Sequence, residues 1–476
     1  MHIPRILIAA PASGSGKTAV TCALLAALKA RGLCVRACKC GPDYIDPMFH
    51  REAAGVDSRN LDLFFSGKDG IRDELSRHGA DADLVVAEGV MGYYDGRAVG
   101  TEEGSSYDVA RTLEMPVLLV VNGRGAALSL AALVSGMAAF RPDSNIRGIL
   151  LNRVSEMLYP RLKEMLEKEL GRSGLDIPVL GYIPEDEAFR LESRHLGLVT
   201  PQELAGLKSQ IRKGAQILSE SVELDRIFEI AGQVPDLKEE GVQAVRPDHG
   251  APAGTIRIGI AQDEAFCFYY RANLEFLEEL GCELVPFSPL RDRQLPADIG
   301  GLILGGGYPE LYAERLSKNR ELREEIRRLI VEEDIPCLAE CGGFMYLHEE
   351  IEDGGGNRYP MAGVIRGRTY PAGKLVRFGY IDLQISEESS TYLYAGEGIR
   401  GHEFHYWDST DSGTSCTAAK PDGRRSWSCI HAKGNLFAGY PHLYLPSMPE
   451  FARRFVRQCR AWERRGCAGN EKKAGN

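Results

Sequence analysis

Pro11-Ala12-Ser13-Gly14-Ser15-Gly16-Lys17-Thr18 stands between a short apolar run at 6–10 and a helix-like run at 17–30. The first run has the length and composition of a buried strand, so the stretch is a strand-to-helix turn. Its small residues let backbone N–H groups converge on phosphate oxygens at the start of a helix. We therefore predict a phosphate-binding loop whose contacting residues are Ser13, Gly14, Ser15, Gly16, Lys17 and Thr18.

The last two residues of this loop carry its chemistry. Lys17 adds a positive charge near the transferred phosphate, and the Thr18 hydroxyl can ligate Mg²⁺. Pro11 occupies the position of the first glycine in the plain motif, so an ordinary GTPase or motor-type loop is a poor match. Magnesium needs further hard oxygen ligands, and Asp43 and Glu88 stand where predicted strands end. The alternative for each of these acidic residues is a helix cap.

Short apolar runs and helix-length segments alternate along the first half of the chain. This alternation predicts an α/β fold with a parallel sheet covered by helices. The predicted strands lie at 6–10, 33–37, 84–87, 117–121, 149–151 and 179–183, and the predicted helices at 17–30, 126–140 and 161–170. We take residues 1–232 as one domain.

A second α/β domain is predicted after a proline- and glycine-bearing linker at 233–254. Strands are predicted at 256–261, 302–304, 335–339 and 436–438, and helices at 273–280, 320–333 and 449–465. The domain therefore covers 255–465, and the polar residues 466–476 are predicted to be a flexible tail.

Composition and charge exclude several classes of protein. The formal net charge of -10 gives no overall attraction to nucleic acid or to an anionic membrane surface. No apolar run approaches the roughly 20 residues that a membrane span needs, and the start shows no basic region with a cleavage site. We expect a cytoplasmic protein with reduced thiols. A metal site at Cys34, Cys38 and Cys40 is the less favoured alternative to core packing, because no second ligand pair completes it.

Glu340-Cys341-Gly342-Gly343 follows the predicted strand at 335–339 and precedes a helix-like run. A sharp strand-to-helix turn of this kind exposes a nucleophile, so Cys341 is the predicted catalytic thiol. The Gly342 N–H is placed to stabilise an oxyanion, and Gly306 and Gly307 after another strand are predicted to add to it. Cys337 lies within the strand itself and fits a buried structural role.

A base is needed to activate the thiol, and we predict His442 from its place late in the domain. His402, His405 and His431 remain alternatives. The residues after His442 are Leu443 and Tyr444, so the usual following carboxylate is missing. We therefore expect an imidazole without a carboxylate to orient it.

Taken together, the chain resembles the cobyrinic acid a,c-diamide synthase family over nearly its whole length. The resemblance rests on the phosphate-binding loop and on six further matches: Gly41-Pro42-Asp43-Tyr44-Ile45-Asp46-Pro47, Glu88-Gly89-Val90-Met91-Gly92, Arg194-His195-Leu196-Gly197-Leu198, Leu304 to Glu310, Glu340 to Gly343, and Gly401-His402-Glu403-Phe404-His405-Tyr406. It implies a dethiobiotin-synthetase-like ATP domain followed by a class I glutamine amidotransferase-like domain.

The resemblance implies amidation of the a and c carboxylates of cobyrinate, or of a related tetrapyrrole polycarboxylate, with L-glutamine as the nitrogen source. ATP and Mg²⁺ are the implied cofactors, and an acyl phosphate is the implied intermediate. By the same resemblance, Asn152 and Pro184 contact adenine. The candidates for substrate contacts are Tyr44, Asp46, His50, Asp95, Arg97, Arg194 and His195.

Three alternatives remain open. The same chemistry can act on hydrogenobyrinate or on a nickel sirohydrochlorin. A noncatalytic regulatory ATPase with a degenerate glutaminase domain is a second alternative, against which the retained Cys341 argues. A synthase of the cobyric acid type is a third, although it predicts a different order of domain signatures. The sequence leaves the oligomeric state open.

Overall fold

The computed structural model describes residues 1–191, 193–194, 197–198, 204–237, 255–386 and 390–474 of the 476-residue chain. The chain divides into two compact units, Met1–Ala244 and Val245–Asn476. The division falls inside the predicted linker 233–254, of which 238–254 lie outside the described residues. Each unit has helices and a parallel sheet of its own.

The first unit follows the alternation predicted from its sequence. Its described strands are β1 (Arg5–Ala9), β2 (Val35–Cys40), β3 (Ser58–Leu61), β4 (Leu84–Glu88), β5 (Val117–Asn122), β6 (Ile146–Asn152), β7 (Val179–Ile183), β8 (Ser193–Arg194) and β9 (Gly197–Leu198). Its described helices are α1 (Lys17–Ala30), α2 (Ile45–Glu52), α3 (Leu63–Gly79), α4 (Ser106–Thr112), α5 (Leu128–Ala139), α6 (Tyr159–Arg172), α7 (Leu207–Ser221) and α8 (Leu224–Gly232).

Seven of the described strands form one parallel sheet in the order β3-β2-β4-β1-β5-β6-β7. Successive side chains on a strand point to opposite faces, so Leu7 and Ile8 of β1 enter separate apolar clusters on the two sides of the sheet. The carboxyl ends of parallel strands meet at one edge, which is where α/β proteins place ligands. The loops after β1, β2 and β4 leave from this edge. The predicted parallel sheet is confirmed.

The second unit contains more strands than its sequence predicts. Its described strands are β10 (Ile256–Ala261), β11 (Cys282–Phe287), β12 (Gly301–Leu304), β13 (Cys337–Glu340), β14 (His348–Glu352), β15 (Arg358–Pro360), β16 (Ile365–Pro371), β17 (Arg377–Ile385), β18 (Gly398–His405), β19 (Trp407–Ser409), β20 (Cys416–Ala419), β21 (Ser426–Cys429), β22 (His431–Lys433), β23 (Leu436–Gly439) and β24 (His442–Leu443). Its described helices are α9 (Arg271–Glu279), α10 (Ala313–Lys318), α11 (Arg320–Val331), α12 (Gly342–Tyr346) and α13 (Pro449–Ala474).

The central sheet of this unit has the described order β11-β10-β12-β13-β23-β22. All its neighbours pair in parallel except β22 and β23. Cys341 lies in the turn between β13 and α12. The pairing of β13 with β23 sets Gly439 beside Glu340, which brings the chain just before His442 to this turn. The predicted α/β class is confirmed here.

Two further sheets of the second unit have no counterpart in the sequence prediction. Their described orders are β15-β14-β16-β19 and β21-β20-β17-β18-β24. Many of their strands are short and mix polar with apolar residues, as in His348–Glu352 and Ser426–Cys429, so hydrophobic periodicity does not reveal them. The α/β prediction is therefore incomplete between residues 348 and 443.

The last described helix, α13, is longer than predicted. It spans Pro449–Ala474, whereas the sequence prediction ended it at 465. Residues 475–476 of the predicted tail lie outside the described part of the chain. In the ranges that the structure describes, none of the helices is long and apolar enough to cross a membrane.

Candidate functional site

Two left-handed glycines and Asn152 hold the loop between β1 and α1 in shape. Gly14 and Gly16 have φ angles of 75° and 90°, which favour glycine. A Cβ atom on Gly16 would lie 2.5 Å from the Asn152 Nδ2 atom. The Asn152 amide donates a hydrogen bond to the Ser15 carbonyl at 2.8 Å. Asn152, expected at adenine, therefore supports the loop from the end of β6.

The Lys17 side chain joins this loop to the glycine-rich segment after β4. Its Nζ atom donates to the Met91 carbonyl at 2.5 Å and to the Ala12 carbonyl at 3.3 Å. Burial lowers the pKa of Lys17 to about 8, and the nearby positive charge of Lys39 contributes to the lowering. Carboxylates around it, Glu88 foremost, oppose this shift.

Oxygen atoms from three elements converge beside Lys17. The Thr18 hydroxyl lies 2.6 Å from Glu88 Oε1 and 3.2 Å from Asp46 Oδ1. The Lys39 ammonium, on β2, lies 2.6 Å from Asp46 Oδ2 and 3.1 Å from Glu88 Oε1. Lys39 also donates to the Gly89 carbonyl at 3.0 Å. These side chains form one hydrogen-bonded cluster, which we call the Lys39 cluster: Thr18, Lys39, Asp46 and Glu88.

Burial and neighbouring charges set the ionisation of the Lys39 cluster. Burial alone would raise the pKa of Glu88, but the Lys39 ammonium and a hydrogen bond from His50 hold it well below its usual range. Burial raises the pKa of Asp46, and the charges of Asp43 and Glu88 add to this. Burial would lower the pKa of Lys39, yet Asp46 and Glu88 raise it overall. Glu88 is therefore the firmly ionised carboxylate of the pair.

His50 lies behind Glu88 rather than at the surface. Its Nε2 atom is 2.9 Å from Glu88 Oε2, and its Nδ1 atom is 2.9 Å from the Ser58 hydroxyl. The His50 side chain is fully buried. A histidine in this place fixes the orientation of a carboxylate, so contact with a substrate would need a rearrangement that frees it.

The oxygen atoms of the Lys39 cluster fit a magnesium ion. Mg²⁺ prefers hard oxygen donors and is usually held by one or two carboxylates together with phosphate and water. Thr18 and Glu88, both predicted ligands, are in contact, and Asp46 completes the oxygen set. In the described ranges no group of three or more His, Cys, Asp or Glu side chains has metal-site geometry, so ligand oxygens would have to supply part of the coordination.

Asp43, the third predicted metal ligand, makes local hydrogen bonds. Its Oδ1 atom accepts from the backbone N–H groups of Ile45 at 2.8 Å and Asp46 at 3.2 Å. These bonds satisfy N–H groups at the start of α2, as a helix cap does.

The early cysteines are core residues rather than ligands. Cys38 and Cys40 are fully buried in β2. Burial raises the pKa of the Cys40 thiol to about 12 and holds that of Cys38 well above its usual range. Both side chains pack within the core, as the core-packing prediction has it.

Four further candidates lie around the same sheet edge. Asp95 Oδ2 accepts from the Gly92 N–H at 3.0 Å, and its charge reaches Lys17. Arg97 is exposed and forms a 2.6 Å ion pair with Glu103. The other two stand at the ends of elements: Tyr44 immediately precedes α2, and Pro184 immediately follows β7.

The remaining predicted substrate residues fall in a partly described segment. Arg194 belongs to β8, which pairs with β9, and only its backbone is described. His195 lies outside the described residues.

In the second unit, Cys341 occupies a strained turn. Its φ angle is 46° and its ψ angle is -102°, a backbone conformation that residues other than glycine rarely adopt. The Cys341 N–H donates to the Gly439 carbonyl at 2.8 Å, and the residue is 7% exposed. Cys337 is fully buried in β13, as predicted for a structural cysteine. The turn therefore has the geometry of a nucleophile elbow.

The glycine loop after β12 packs directly against this elbow. The Gly343 N–H donates to the Gly305 carbonyl at 2.9 Å. A Cβ atom on Gly342 would lie 3.1 Å from the Gly307 backbone nitrogen, and one on Gly306 would lie 2.3 Å from His442 Cε1. The predicted oxyanion residues Gly306, Gly307 and Gly342 are thus brought together beside the thiol and the imidazole.

His442 is the histidine that contacts Cys341. Burial alone would lower its pKa, but the Cys341 sulfur, which is hydrogen-bonded to the ring, and the Glu340 carboxylate raise it to about 10. His442 Nδ1 lies 3.6 Å from Glu340 Oε2. A carboxylate does therefore lie near the imidazole, and it belongs to the residue before the nucleophile rather than to a residue after His442.

The other three histidines have different partners. His402 lies opposite His442 in the β18–β24 pair, and burial lowers its pKa to about 3. His405 stacks on Tyr440 with ring centroids 3.8 Å apart. His431 Nε2 lies 3.3 Å from Asp411 Oδ1. The geometry therefore favours His442 over these alternatives.

Lys39 and Glu340 are the two functional candidates that the sequence prediction missed. Lys39 lies near the end of β2, two residues before the predicted segment that begins at Gly41, and Glu340 is the last residue of β13 and immediately precedes Cys341. A buried charge needs a compensating partner, so these positions carry a detectable signal.

Two protein-family models match the chain, one in each unit. The CobQ/CobB/MinD/ParA nucleotide binding domain matches residues 6–199, and the CobB/CobQ-like glutamine amidotransferase domain matches residues 257–449.

Curated relatives cover nearly the whole chain. Cobyrinate a,c-diamide synthase of Clostridium acetobutylicum is 39% identical over 456 residues, which are 95% of this chain and 99% of the relative. The protein of the same name from Caldanaerobacter subterraneus subsp. tengcongensis is 37% identical over 462 residues, covering 96% and 99%. That of Listeria innocua is 38% identical over 452 residues, covering 94% and 97%. The chain therefore belongs to the cobyrinate a,c-diamide synthase family.

Proposed function

We propose that this chain amidates the a and c carboxylates of cobyrinate, using ATP, Mg²⁺ and L-glutamine. The observation that carries the proposal is the pairing of Cys341 with His442 in an elbow lined by glycines, in a chain whose other unit has a phosphate-binding loop. A thiol site of this kind releases ammonia from an amide, and a nucleotide site activates the acid that accepts it.

In the first unit, the substrate carboxylate attacks the γ-phosphorus of ATP, which yields an acyl phosphate and ADP. Lys17 stabilises the charge on the transferred group, and Thr18 and Glu88, with Asp43 or Asp46, would hold Mg²⁺. When bound, the metal would neutralise charge on the phosphate oxygens. Ammonia then displaces phosphate from the acyl group and forms the amide.

In the second unit, the Cys341 sulfur attacks the side-chain carbonyl of glutamine. The backbone N–H groups of Gly307 and Gly342 are placed to stabilise the oxyanion. His442 gives its proton to the departing nitrogen, so that ammonia leaves and a thioester remains. Water then hydrolyses the thioester, which releases glutamate and restores the thiol.

Substitution of Cys341 by serine separates the two half-reactions. We expect Cys341→Ser to abolish synthesis with glutamine and to preserve synthesis with a high concentration of ammonium salt, since only ammonia release needs the thiol. The measurement is amide product formed per ADP with each nitrogen source, with Cys337→Ser as the matched control. Loss of both activities in a folded Cys341→Ser protein would contradict this division of roles.

The substrate is tested by mass spectrometry of products from a panel of tetrapyrrole acids. We expect cobyrinate to show the mass change of two OH-to-NH2 replacements. A preference for hydrogenobyrinate or nickel sirohydrochlorin would replace cobyrinate in the proposal, and ATP hydrolysis without any amide would favour a regulatory ATPase. Variants of Tyr44, Asp95, Arg97, Arg194 and His195 would then test their proposed contacts with the substrate.

A further inference from the structure

We propose that Glu340 positions His442, so that the nucleophile elbow itself supplies the third member of a Cys–His–Glu triad. This inference rests on the glutamine hydrolysis proposed above and deepens it. Glu340 is the last residue of β13 and immediately precedes Cys341. Its Oε2 atom lies 3.6 Å from His442 Nδ1.

The Glu340 carboxylate is held in place by the segment that carries the histidine. Its Oε1 atom accepts a hydrogen bond from the Leu443 N–H at 3.2 Å. The two oxygens of one carboxylate therefore reach two consecutive residues, 442 and 443. This arrangement fixes the carboxylate relative to β24 and limits rotation of the imidazole.

Among the described residues, three titratable side chains face the His442 ring, and the one carboxylate among them is that of Glu340. Cys341 reaches the ring from the elbow, and His402 faces it from β18. Glu340 lies on the Nδ1 side of the ring, with its Oε2 atom 3.6 Å from that nitrogen. His442 is 3% exposed, and a cation in such a site needs a nearby negative charge in place of water.

The inferred role is that of the carboxylate in hydrolytic triads. Such a carboxylate holds the imidazole in one tautomer and stabilises the imidazolium that forms during the reaction. It takes no proton and touches no substrate, so Glu340 is a positioning residue. Its place before the nucleophile explains how the site can work without an acidic residue after His442.

Glu340→Gln in the full chain tests this role, because glutamine keeps an oxygen for the Leu443 N–H and removes only the charge. We expect kcat for glutamine-supported synthesis to fall by at least about tenfold, with little change in KM for glutamine. The rate at which iodoacetamide alkylates Cys341 increases with pH. We also expect this increase to occur at higher pH in the variant than in the wild type. Ammonia-supported synthesis should be unchanged. The matched control is Glu332→Gln, at an exposed position of the same unit.

Alkylation of Cys341, followed peptide by peptide with mass spectrometry, needs no turnover. It therefore reports on Glu340 even if the wild-type protein proves unable to hydrolyse glutamine, an outcome that would overturn the proposed function alone. An unchanged alkylation profile in Glu340→Gln would overturn the inference about Glu340. A wild-type glutamine kcat in the variant would overturn it as well.

Discussion

Lys39 is a buried cation, and both of its carboxylate partners belong to the phosphate-binding site of the first unit. Its ammonium contacts Asp46 and Glu88, and its side chain is 4% exposed. Taking charges out of water is costly, and the cost is offset only while the opposite charges stay in contact. Lys39 therefore keeps Asp46 and Glu88 close to Thr18 before any ligand contributes.

Replacing Lys39 by methionine leaves two buried carboxylates without their cation. We expect Lys39→Met to lower the free energy of unfolding by about 3–5 kcal/mol, the usual cost of breaking a buried ion pair. The measurement is urea unfolding followed by circular dichroism. The control is Lys213→Met, which removes the exposed pair with Asp186 and should cost less than about 1 kcal/mol. Equal stability of the two variants would argue against a buried charge cluster.

Lys17 predicts a pH dependence of nucleotide binding. Its pKa is lowered to about 8, so below that pH the ammonium is charged and above it the charge is progressively lost. Because a triphosphate prefers the charged form, ATP affinity should fall above pH 8, by at most about tenfold per pH unit, with proton uptake on binding. Calorimetric titration of ATP in buffers of differing ionisation enthalpy measures both effects.

Lys17→Arg is the control for this titration, because a guanidinium stays charged across the whole range. If the variant still binds ATP, its affinity should be flat where that of the wild type falls. A wild-type affinity that is equally flat would show that Lys17 does not titrate in this window.

At the residue scale, residues that the sequence predicted to share a site lie together where a motif fixes local geometry. Thr18 and Glu88 are in contact, and Cys341 meets His442. Lys39 and Glu340 were not predicted because their roles depend on partners from other elements. The spacing of residues along the chain does not identify those partners. His50 was placed among the candidates for substrate contact for the same reason.

At the scale of elements, the glycines between β12 and α10 allow the loop to approach the elbow. Gly306 faces His442 so closely that a methyl group has no room. We expect Gly306→Ala to displace the imidazole and to lower glutamine-supported synthesis by about 100-fold, as a misplacement of about 1 Å can do. Ammonia-supported synthesis should persist.

A matched alanine substitution separates this steric effect from a general effect on the unit. Gly354, in the turn between β14 and β15, has open space where a Cβ would stand. Gly354→Ala should retain synthesis with glutamine and the wild-type melting temperature. Full glutamine activity in Gly306→Ala would mean that His442 tolerates displacement.

Element prediction was accurate for the fully buried parallel strands, and it missed the partly buried edge strands β3 and β11 as well as the additional sheets. Val179–Ile183 and Ile256–Ala261 match their predicted bounds, because continuous apolar runs are unambiguous. Several strands between 348 and 443 pair with strands that are not their neighbours in the chain, and their register rests on those partners rather than on local pattern.

At the scale of the whole molecule, each unit buries apolar clusters of its own residues. Two clusters lie on the faces of the first sheet, and two more are built from the second unit alone. A unit with its own core can fold by itself. We expect a fragment of residues 255–476 to unfold cooperatively in a thermal melt followed by circular dichroism, and to release glutamate from glutamine.

The same fragment with Cys341→Ser is the control, since it should melt in the same way and release no glutamate. An aggregated or unstructured fragment would show that the second unit depends on the first for its fold. Release of glutamate by the serine variant would point to a contaminating activity.

The adjacency of Glu340 and Cys341 has a consequence for how this site tolerates change. Two of the three side chains of the proposed triad, Glu340 and Cys341, occupy successive positions at the end of β13. A single turn therefore positions both of them. Insertions and deletions in the roughly 100 residues between that turn and His442 can then be absorbed, provided that β23 still pairs with β13. Only one long-distance alignment has to be preserved, which leaves the intervening sheets open to evolutionary remodelling.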